Sequence, residues 1–212
     1  MTQVKICGIK HKETLSLLKE CEVDYVGFVF APSKRKVEAT AAKEMLRSVP
    51  DHPPAVGVFV NPTIEELEDI LAEVSLAVVQ LHGQETPAFC QEVKERFSLP
   101  VWKALAVGNE AEVVEGMAAY ATHVDAFLFD TYDPAQAGGT GRRFSWEQIP
   151  DLQAASQGVT EIIAGGINVD NVAELIGRYR PSVIDLSSGV ETDGEKDPNK
   201  IKSLMERVRE YV

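Results

Sequence analysis

Cysteine is scarce in this sequence, with three residues among 212. Cys7, Cys21 and Cys90 are odd in number and none belongs to a Cys-x-x-Cys pair, which argues against a disulfide framework and against a thiolate metal site. The four histidines show no metal-ligand spacing either. We therefore expect a protein without a bound metal. That one of the three thiols is reactive remains an alternative interpretation.

Long apolar runs and basic charge are also missing. The longest apolar runs, 25–31 and 55–60, fall far short of the roughly 20 residues that a membrane span needs, and no basic-then-apolar leader opens the chain. The 21 basic side chains are outnumbered by 33 acidic ones, so the formal net charge is −12. Such a surface repels phosphate backbones and anionic headgroups. We expect a cytoplasmic protein that binds neither membrane nor nucleic acid.

The sequence does contain a regular alternation of short β-branched runs with segments of helical period. This pattern is typical of an α/β fold with parallel strands joined by crossover helices. No linker, low-complexity stretch or composition break divides the chain, so residues 1–212 are expected to form one domain. The candidate strands are Val4–Cys7, Tyr25–Phe30, Ala55–Val60, Ala77–Leu81, Val101–Ala106, Ala126–Asp130, Glu161–Ala164 and Val183–Leu186.

Eight such units form either a closed barrel or a doubly wound open sheet. The chain allows about 26 residues per unit, which is compact for a TIM barrel but sufficient without insertions. The segments Val26–Ser33 and Val56–Thr63 resemble each other, each strand leading into a proline turn, as equivalent units do. We therefore predict a single-domain (β/α)8 barrel. Chance similarity of two strands and turns is the competing interpretation of the repeat.

Capping signals mark several of the helices. Thr63 and Glu66 have the spacing of a capping box, and Thr86 and Asp197 each precede a proline at the first helical position. One apolar stripe runs along the last helix, at Ile201, Leu204, Met205 and Val208.

Polar side chains at the C-terminal ends of barrel strands form the active site in this fold class. Cys7 ends the first predicted strand and Asp130 the sixth. Strand alternation places Lys5 on the face of Cys7, and leaves Phe127 and Phe129 to pack under the helices. A small buried thiol is the competing interpretation of Cys7, and simple solvation that of Asp130.

Two glycine-containing loops predict a phosphate site. Gly165 and Gly166 follow the seventh strand, with Asn168 as the expected cap of the next helix, and Ser188 and Gly189 follow the eighth. Barrels of this class bind phosphate at these two loops through backbone N–H groups. Taken singly, each loop is equally well a structural turn. A third loop, residues 137–141, is either a ligand contact or a flexible connector.

Four other ionisable side chains stand near the predicted strands. Arg35, in the loop after the second strand, is placed to bind a carboxylate bidentately, or else belongs to an exposed basic cluster. Lys5, Lys103 and Asp185 lie inside strands and are expected to meet within the barrel, where buried charges must pair. We treat these three as structural.

The chain resembles the phosphoribosylanthranilate isomerases, the barrel enzymes of tryptophan biosynthesis. No single matching segment is decisive, but the segments follow one another in an order and at a spacing that are specific to this family, and they span almost the whole chain. The matching segments are 4–8, 27–30, 33–37, 56–61, 79–83, 129–131, 138–141, 164–166, 187–191 and 194–197.

The resemblance implies a cofactor-free Amadori rearrangement of N-(5-phosphoribosyl)anthranilate, a small phosphorylated substrate. Carried over residue by residue, Cys7 is the general base, Asp130 is the general acid, and Arg35 holds the anthranilate carboxylate. The chain departs from many relatives at Ser145 and Ile167, which affects helix capping and packing. The residues on the implied phosphate loops are Gly165, Gly166, Ser188 and Gly189.

Two alternatives remain beside this interpretation. A pentulose-phosphate epimerase would need metal-ligating histidines and carboxylates at several strand ends, which the sequence lacks. A non-catalytic phosphosugar-binding module would keep the anion loops and use Cys7 and Asp130 only structurally. We expect a monomer, although a dimer is compatible with the same apolar helix stripes.

Overall fold

The computed structural model describes residues 1–108, 110–131 and 144–211. In this part of the chain, eight parallel strands close into a barrel in sequential order. The barrel strands are β1 (Gln3–Cys7), β2 (Tyr25–Val29), β3 (Ala55–Phe59), β4 (Val78–Leu81), β5 (Val101–Val107), β6 (Ala126–Thr131), β7 (Thr160–Ile163) and β8 (Val183–Leu186). No bound differs from its predicted position by more than one residue.

Helices alternate with these strands and cover the outside of the barrel. They are α1 (Lys12–Glu20), α2 (Ala39–Ser48), α3 (Ile64–Glu73), α4 (Pro87–Phe97), α5 (Glu110–Tyr120), α6 (Ile149–Ala155), α7 (Val172–Tyr179) and α8 (Pro198–Arg209). Short 3-10 helices occupy Trp146–Gln148 and Ser188–Val190. None of the helices in the described segments has the length and apolar character to cross a membrane.

Closure of the barrel rests on the pairing of the first strand with the last. β1 and β8 pair in parallel, with Lys5 opposite Asp185 and Ile6 opposite Leu186. An open doubly wound sheet would leave these two edges unpaired, so the prediction of a closed barrel is confirmed.

The strands bury both faces, and alternate residues enter two apolar clusters. In β6, Ala126 and Leu128 belong to the cluster inside the barrel, whereas Phe127 and Phe129 belong to the larger cluster between strands and helices. This confirms the orientation predicted for β6. In β1 the outward positions are Val4 and Ile6, which turns the alternate side chains, those of Lys5 and Cys7, to the inside.

Most of the predicted caps are present. Thr63 and Glu66 form a reciprocal capping box at α3, and the side chains of Thr86 and Asp197 accept backbone N–H groups at α4 and α8. The cap predicted at Asn168 is wrong. Its side chain accepts the Asp170 N–H at 2.9 Å, so a local turn precedes α7, and Asn171 stands at the N-cap.

A small hairpin follows the eighth barrel strand. It consists of β9 (Glu191–Thr192) and β10 (Glu195–Lys196), which pair antiparallel. Asp193 and Gly194 link them, with φ of +52° and +83°, the left-handed backbone that a tight hairpin turn of this kind requires. The hairpin turns Lys196 back toward the C-terminal end of the barrel. Residues 137–141, the third loop considered from the sequence, lie outside the described segments.

Candidate active site at the carboxyl ends of the strands

Two adjoining cavities lie where the loops after β7 and β8 meet. The first is an open cavity of about 570 Å³ that reaches the first turns of α8. The second is smaller and extends from the same loops toward β6 and β8. The residues that line both are Gly166, Ile167, Ser188 and Gly189. Three lining residues of the first cavity were missed from the sequence because they lie on a helix rather than at a strand end: Asn199, Lys200 and Ser203.

Glycine is required in both loops for different reasons. Gly165 and Gly166 have φ of +81° and +66°, a backbone region that L side chains rarely adopt. At Gly189 the reason is contact, since a Cβ there would lie 1.8 Å from the Ile167 carbonyl oxygen. The two loops therefore pack backbone to backbone, as expected of a surface that presents main-chain groups to an anion.

Asp130 lines the smaller cavity together with Gly165 and Asp185. One carboxylate oxygen, Oδ1, accepts the backbone N–H of Thr131 at 2.7 Å. The other, Oδ2, lies 3.4 Å from Nε2 of His82. The carboxylate predicted at the end of β6 therefore stands beside the loops after β7 and β8, with its side chain only 13 % exposed.

His82 is a neighbour of Asp130 for which the sequence patterns predict no role. The amide group of Gln80 lies 3.0 Å from its Nδ1, and its other ring nitrogen, Nε2, faces Asp130. His82 directly follows β4, so the strand-end argument that singled out Asp130 applies to it equally. In the described part of the chain, no group of three or more His, Cys, Asp or Glu side chains is arranged to hold a metal ion.

Cys7 ends β1 and is 8 % exposed. Its sulfur packs closely on Gly27, where an added Cβ would lie 2.7 Å from Sγ, and its carbonyl oxygen accepts the Ser187 hydroxyl at 3.0 Å. Burial raises the pKa of Cys7, while the charges of Lys5 and Lys196 oppose the rise. Cys7 is not among the residues that line the two cavities, although Ser187 connects it directly to the loop that does.

Arg35 is buried, so its assignment to an exposed basic cluster is wrong. Its Nε and Nη2 each donate to a separate oxygen of Glu191, both at 2.8 Å. Lys196 donates to the same carboxylate at 2.7 Å. Burial alone would raise the pKa of Glu191, but the hydrogen bonds from Arg35 and Lys196 outweigh it and lower the pKa to about 2. The bidentate contact expected of Arg35 exists here with a carboxylate of the chain itself.

The predicted meeting of three buried charges is half correct. Lys5 donates to Asp185 at 2.9 Å. Lys103 instead pairs with Glu85 at 2.9 Å, and its neighbours in β5, Trp102 and Ala104, are the residues that point into the barrel. Lys103 therefore faces the helix layer. The prediction fails because a strand buried on both faces is apolar on both, so the sequence does not show which face is inside.

A closed barrel whose last two loops line a glycine-rich cavity beside a carboxylate belongs to the class of (βα)8-barrel enzymes, in which phosphate sites lie at these two loops. The model of the N-(5'-phosphoribosyl)anthranilate (PRA) isomerase family matches residues 4–207, and the chain belongs to this family. It is 66% identical over 211 residues to the N-(5'-phosphoribosyl)anthranilate isomerase of Brevibacillus brevis, covering 100% of this chain and 95% of that protein. It is 39% identical to the Bacillus subtilis isomerase, covering 99% and 96% of the two chains.

Solved structures of the family have the same fold. The phosphoribosylanthranilate isomerase of Thermotoga maritima superposes with a TM-score of 0.88 at 35% identity, covering 99% of this chain and 100% of that one. A phosphoribosylanthranilate isomerase solved in complex with reduced 1-(o-carboxyphenylamino)-1-deoxyribulose 5-phosphate superposes with a TM-score of 0.85 at 34% identity, with the same coverage. Another structure describes monomers generated from the dimeric Thermotoga maritima enzyme.

Proposed function

We propose that this chain catalyses the Amadori rearrangement of N-(5'-phosphoribosyl)anthranilate in tryptophan biosynthesis, with Asp130 as general acid and Cys7 as general base. The position of Asp130 is the observation that supports its role. Asp130 lines the smaller cavity, and this cavity shares Gly166, Ser188 and Gly189 with the larger cavity, which is suited to a phosphate. A sugar phosphate held by these loops extends its ring toward the Asp130 carboxyl.

The phosphate is proposed to bind the backbone of Gly165, Gly166, Ser188 and Gly189. The anthranilate carboxylate is proposed to bind Arg35. Two N–H groups of this guanidinium are engaged by Glu191, and a guanidinium has five. Glu191 therefore orients Arg35 while three donors remain for an incoming carboxylate.

The chemistry needs one group that starts protonated and one that starts deprotonated. Protonated Asp130 donates to the ribose ring oxygen as the bond from that oxygen to C1′ breaks, which leaves an iminium ion. The thiolate of Cys7 then removes the proton from C2′, and the resulting enol tautomerises to the ketone. Each proton transfer of this kind contributes about 10²–10⁴-fold to the rate. Neither step calls for a redox partner.

The roles are tested by single substitutions in a fluorescence assay that follows loss of the anthranilate signal with a chelator present. We expect Cys7→Ser and Asp130→Asn to lower kcat by about 10²–10⁴-fold at little changed KM, and Arg35→Ala mainly to raise KM. A kcat near wild type in either catalytic variant would refute its assigned role. Metal-dependent turnover would favour an epimerase, and tight binding without turnover a sugar-phosphate binding module.

We also propose that the chain is a monomer. In the described residues, the exposed large apolar side chains are those of Met1 and Tyr211. A stable homodimer is expected to cover a larger apolar patch than these two side chains form.

A further inference from the structure

Lys5 is a buried charge that the proposed mechanism leaves unused. It is 0 % exposed and points into the barrel, where its ammonium group donates to Oδ2 of Asp185 at 2.9 Å. Burying a charged lysine is unfavourable because the ammonium group loses its hydration, and only close hydrogen-bonding or charged partners offset this loss of free energy. A barrel that needed only packing here would do as well with an apolar side chain.

The second partner of Lys5 is the thiol of Cys7. The two residues lie on the same inner face of β1, two positions apart, and each acts on the pKa of the other. Burial is the largest influence on the pKa of Cys7 and raises it, and Lys5 gives the largest opposing effect. The same charge pattern raises the pKa of Lys5 above its usual value despite burial, so the side chain keeps its proton.

Asp185 holds the ammonium group in this position. Its Oδ2 binds Lys5, and its other oxygen, Oδ1, is buried and has no hydrogen-bond partner in the described part of the chain. Besides Lys5, the titratable side chains that face Asp185 are those of Asp130 and His82. A carboxylate with one strong donor fixes that donor, because Lys5 cannot move away without leaving Asp185 unpaired in the interior.

The other cations that face Cys7 are engaged elsewhere. Lys196 and Arg35 act on the thiol from β10 and from the loop after β2, but both donate to Glu191. Asp185 opposes thiolate formation, yet its effect on Cys7 is smaller than that of Lys5. Of these three cations, Lys5 is therefore the one that shares the inner face of β1 with the sulfur and stands outside the Glu191 cluster.

We propose that Lys5, held in place by Asp185, is a positioning residue that stabilises the thiolate form of Cys7 and so prepares the general base. This inference rests on the proposed role of Cys7 and extends it, since it names the charge that favours ionisation of this buried thiol. The neutral thiol and the thiolate differ in charge, and a fixed ammonium group favours the charged form.

The direct test is a pH titration of the Cys7 thiolate by its ultraviolet absorbance, taken as the difference from the Cys7→Ala variant. We expect Lys5→Met to raise the pKa of Cys7 by about one unit or more, which means about tenfold less thiolate near neutral pH. Lys5→Arg keeps the positive charge and should recover part of the shift. An unchanged pKa in Lys5→Met would overturn the proposal.

A matched control comes from the second buried lysine. Lys103→Met also removes a lysine from an ion pair with a carboxylate, but on the helix side of the barrel wall, so the Cys7 titration should stay at its wild-type position. An equal shift in both lysine variants would mean a general loosening of the barrel and would overturn the proposal. Should Lys5→Met fail to fold because Asp185 is left unpaired, the double variant Lys5→Met/Asp185→Asn removes both charges. Its Cys7 pKa should still lie above that of the single variant Asp185→Asn, and equal pKa values in these two variants would overturn the proposal.

Kinetics separate this inference from the proposed function. In Lys5→Met the alkaline shift should appear in the pH profile of kcat, with KM changed little because Lys5 is not proposed to touch substrate. Full activity of Cys7→Ala would refute the base assignment while leaving the effect of Lys5 on the thiol measurable. Loss of activity in Cys7→Ala with no thiolate shift in Lys5→Met would support the base assignment and refute the role of Lys5.

Discussion

Replacing Glu191 with glutamine removes the negative charge at the centre of a buried cluster. Glu191 is 9 % exposed and accepts hydrogen bonds from the side chains of Arg35 and Lys196. Glu191→Gln leaves these two cations side by side with little solvent. We expect a strong loss of stability with a distinctive dependence on pH.

The magnitude follows from the pKa of Glu191, which is lowered from 4.5 to about 2. Each unit is about 1.4 kcal/mol, so the ionised carboxylate stabilises the folded state by about 3 kcal/mol at neutral pH. Because the pKa is lower in the folded than in the unfolded state, this stabilisation is complete above about pH 5. It is lost as the pH falls toward 2.

Urea unfolding of wild type and Glu191→Gln, at pH 7 and at pH 3, measures the effect. We expect the difference in the free energy of unfolding to fall from about 3 kcal/mol at pH 7 to about 1.5 kcal/mol at pH 3. Glu195→Gln serves as the control, since Glu195 lies in the same hairpin but its side chain is 55 % exposed, and its loss should change stability far less. A Glu191→Gln difference that is small at pH 7, or constant with pH, would refute the electrostatic argument.

Two further predictions concern the loops proposed to bind phosphate and the assembly. Gly189→Ala should raise KM strongly, or abolish binding, because its Cβ would lie 1.8 Å from the Ile167 carbonyl oxygen. Inorganic phosphate should then protect the variant against thermal unfolding less than it protects wild type. Equal protection would contradict the assignment of this loop to phosphate binding. Light scattering coupled to size-exclusion chromatography should give the mass of one chain, 23.2 kDa, and twice this value would contradict the proposed monomer.

Much of the fold is predictable because its signals are local. The eight strands are apolar runs bounded by turns, and the caps at Thr63, Thr86 and Asp197 depend on residues within one helical turn of each other. The glycines after β7 mark backbone that other residues rarely adopt, and Gly189 after β8 marks a close backbone contact. The prediction that Asn168 caps α7 is wrong because a local turn competes with the helix for the same side chain.

The site is predictable only in part. Strand ends identify Cys7 and Asp130 as candidates, and the glycine loops identify the neighbouring anion cavity. The position of His82 beside Asp130 required the structure, because the two residues come from different strands and only the barrel register brings the ends of β4 and β6 together. The same holds for Arg35, whose bidentate partner Glu191 is 156 residues away in the chain.

The sequence by itself determined the order of strands and helices, the places where the chain turns and the side chains that stand at the strand ends, since all of these depend on near neighbours. Only the tertiary structure decided which buried charges meet. Lys5 and Asp185 are 180 residues apart and are paired by closure of β1 on β8, whereas Lys103 faces outward to Glu85. A charge inside a protein depends on the few groups around it in space, and local sequence patterns do not specify those groups.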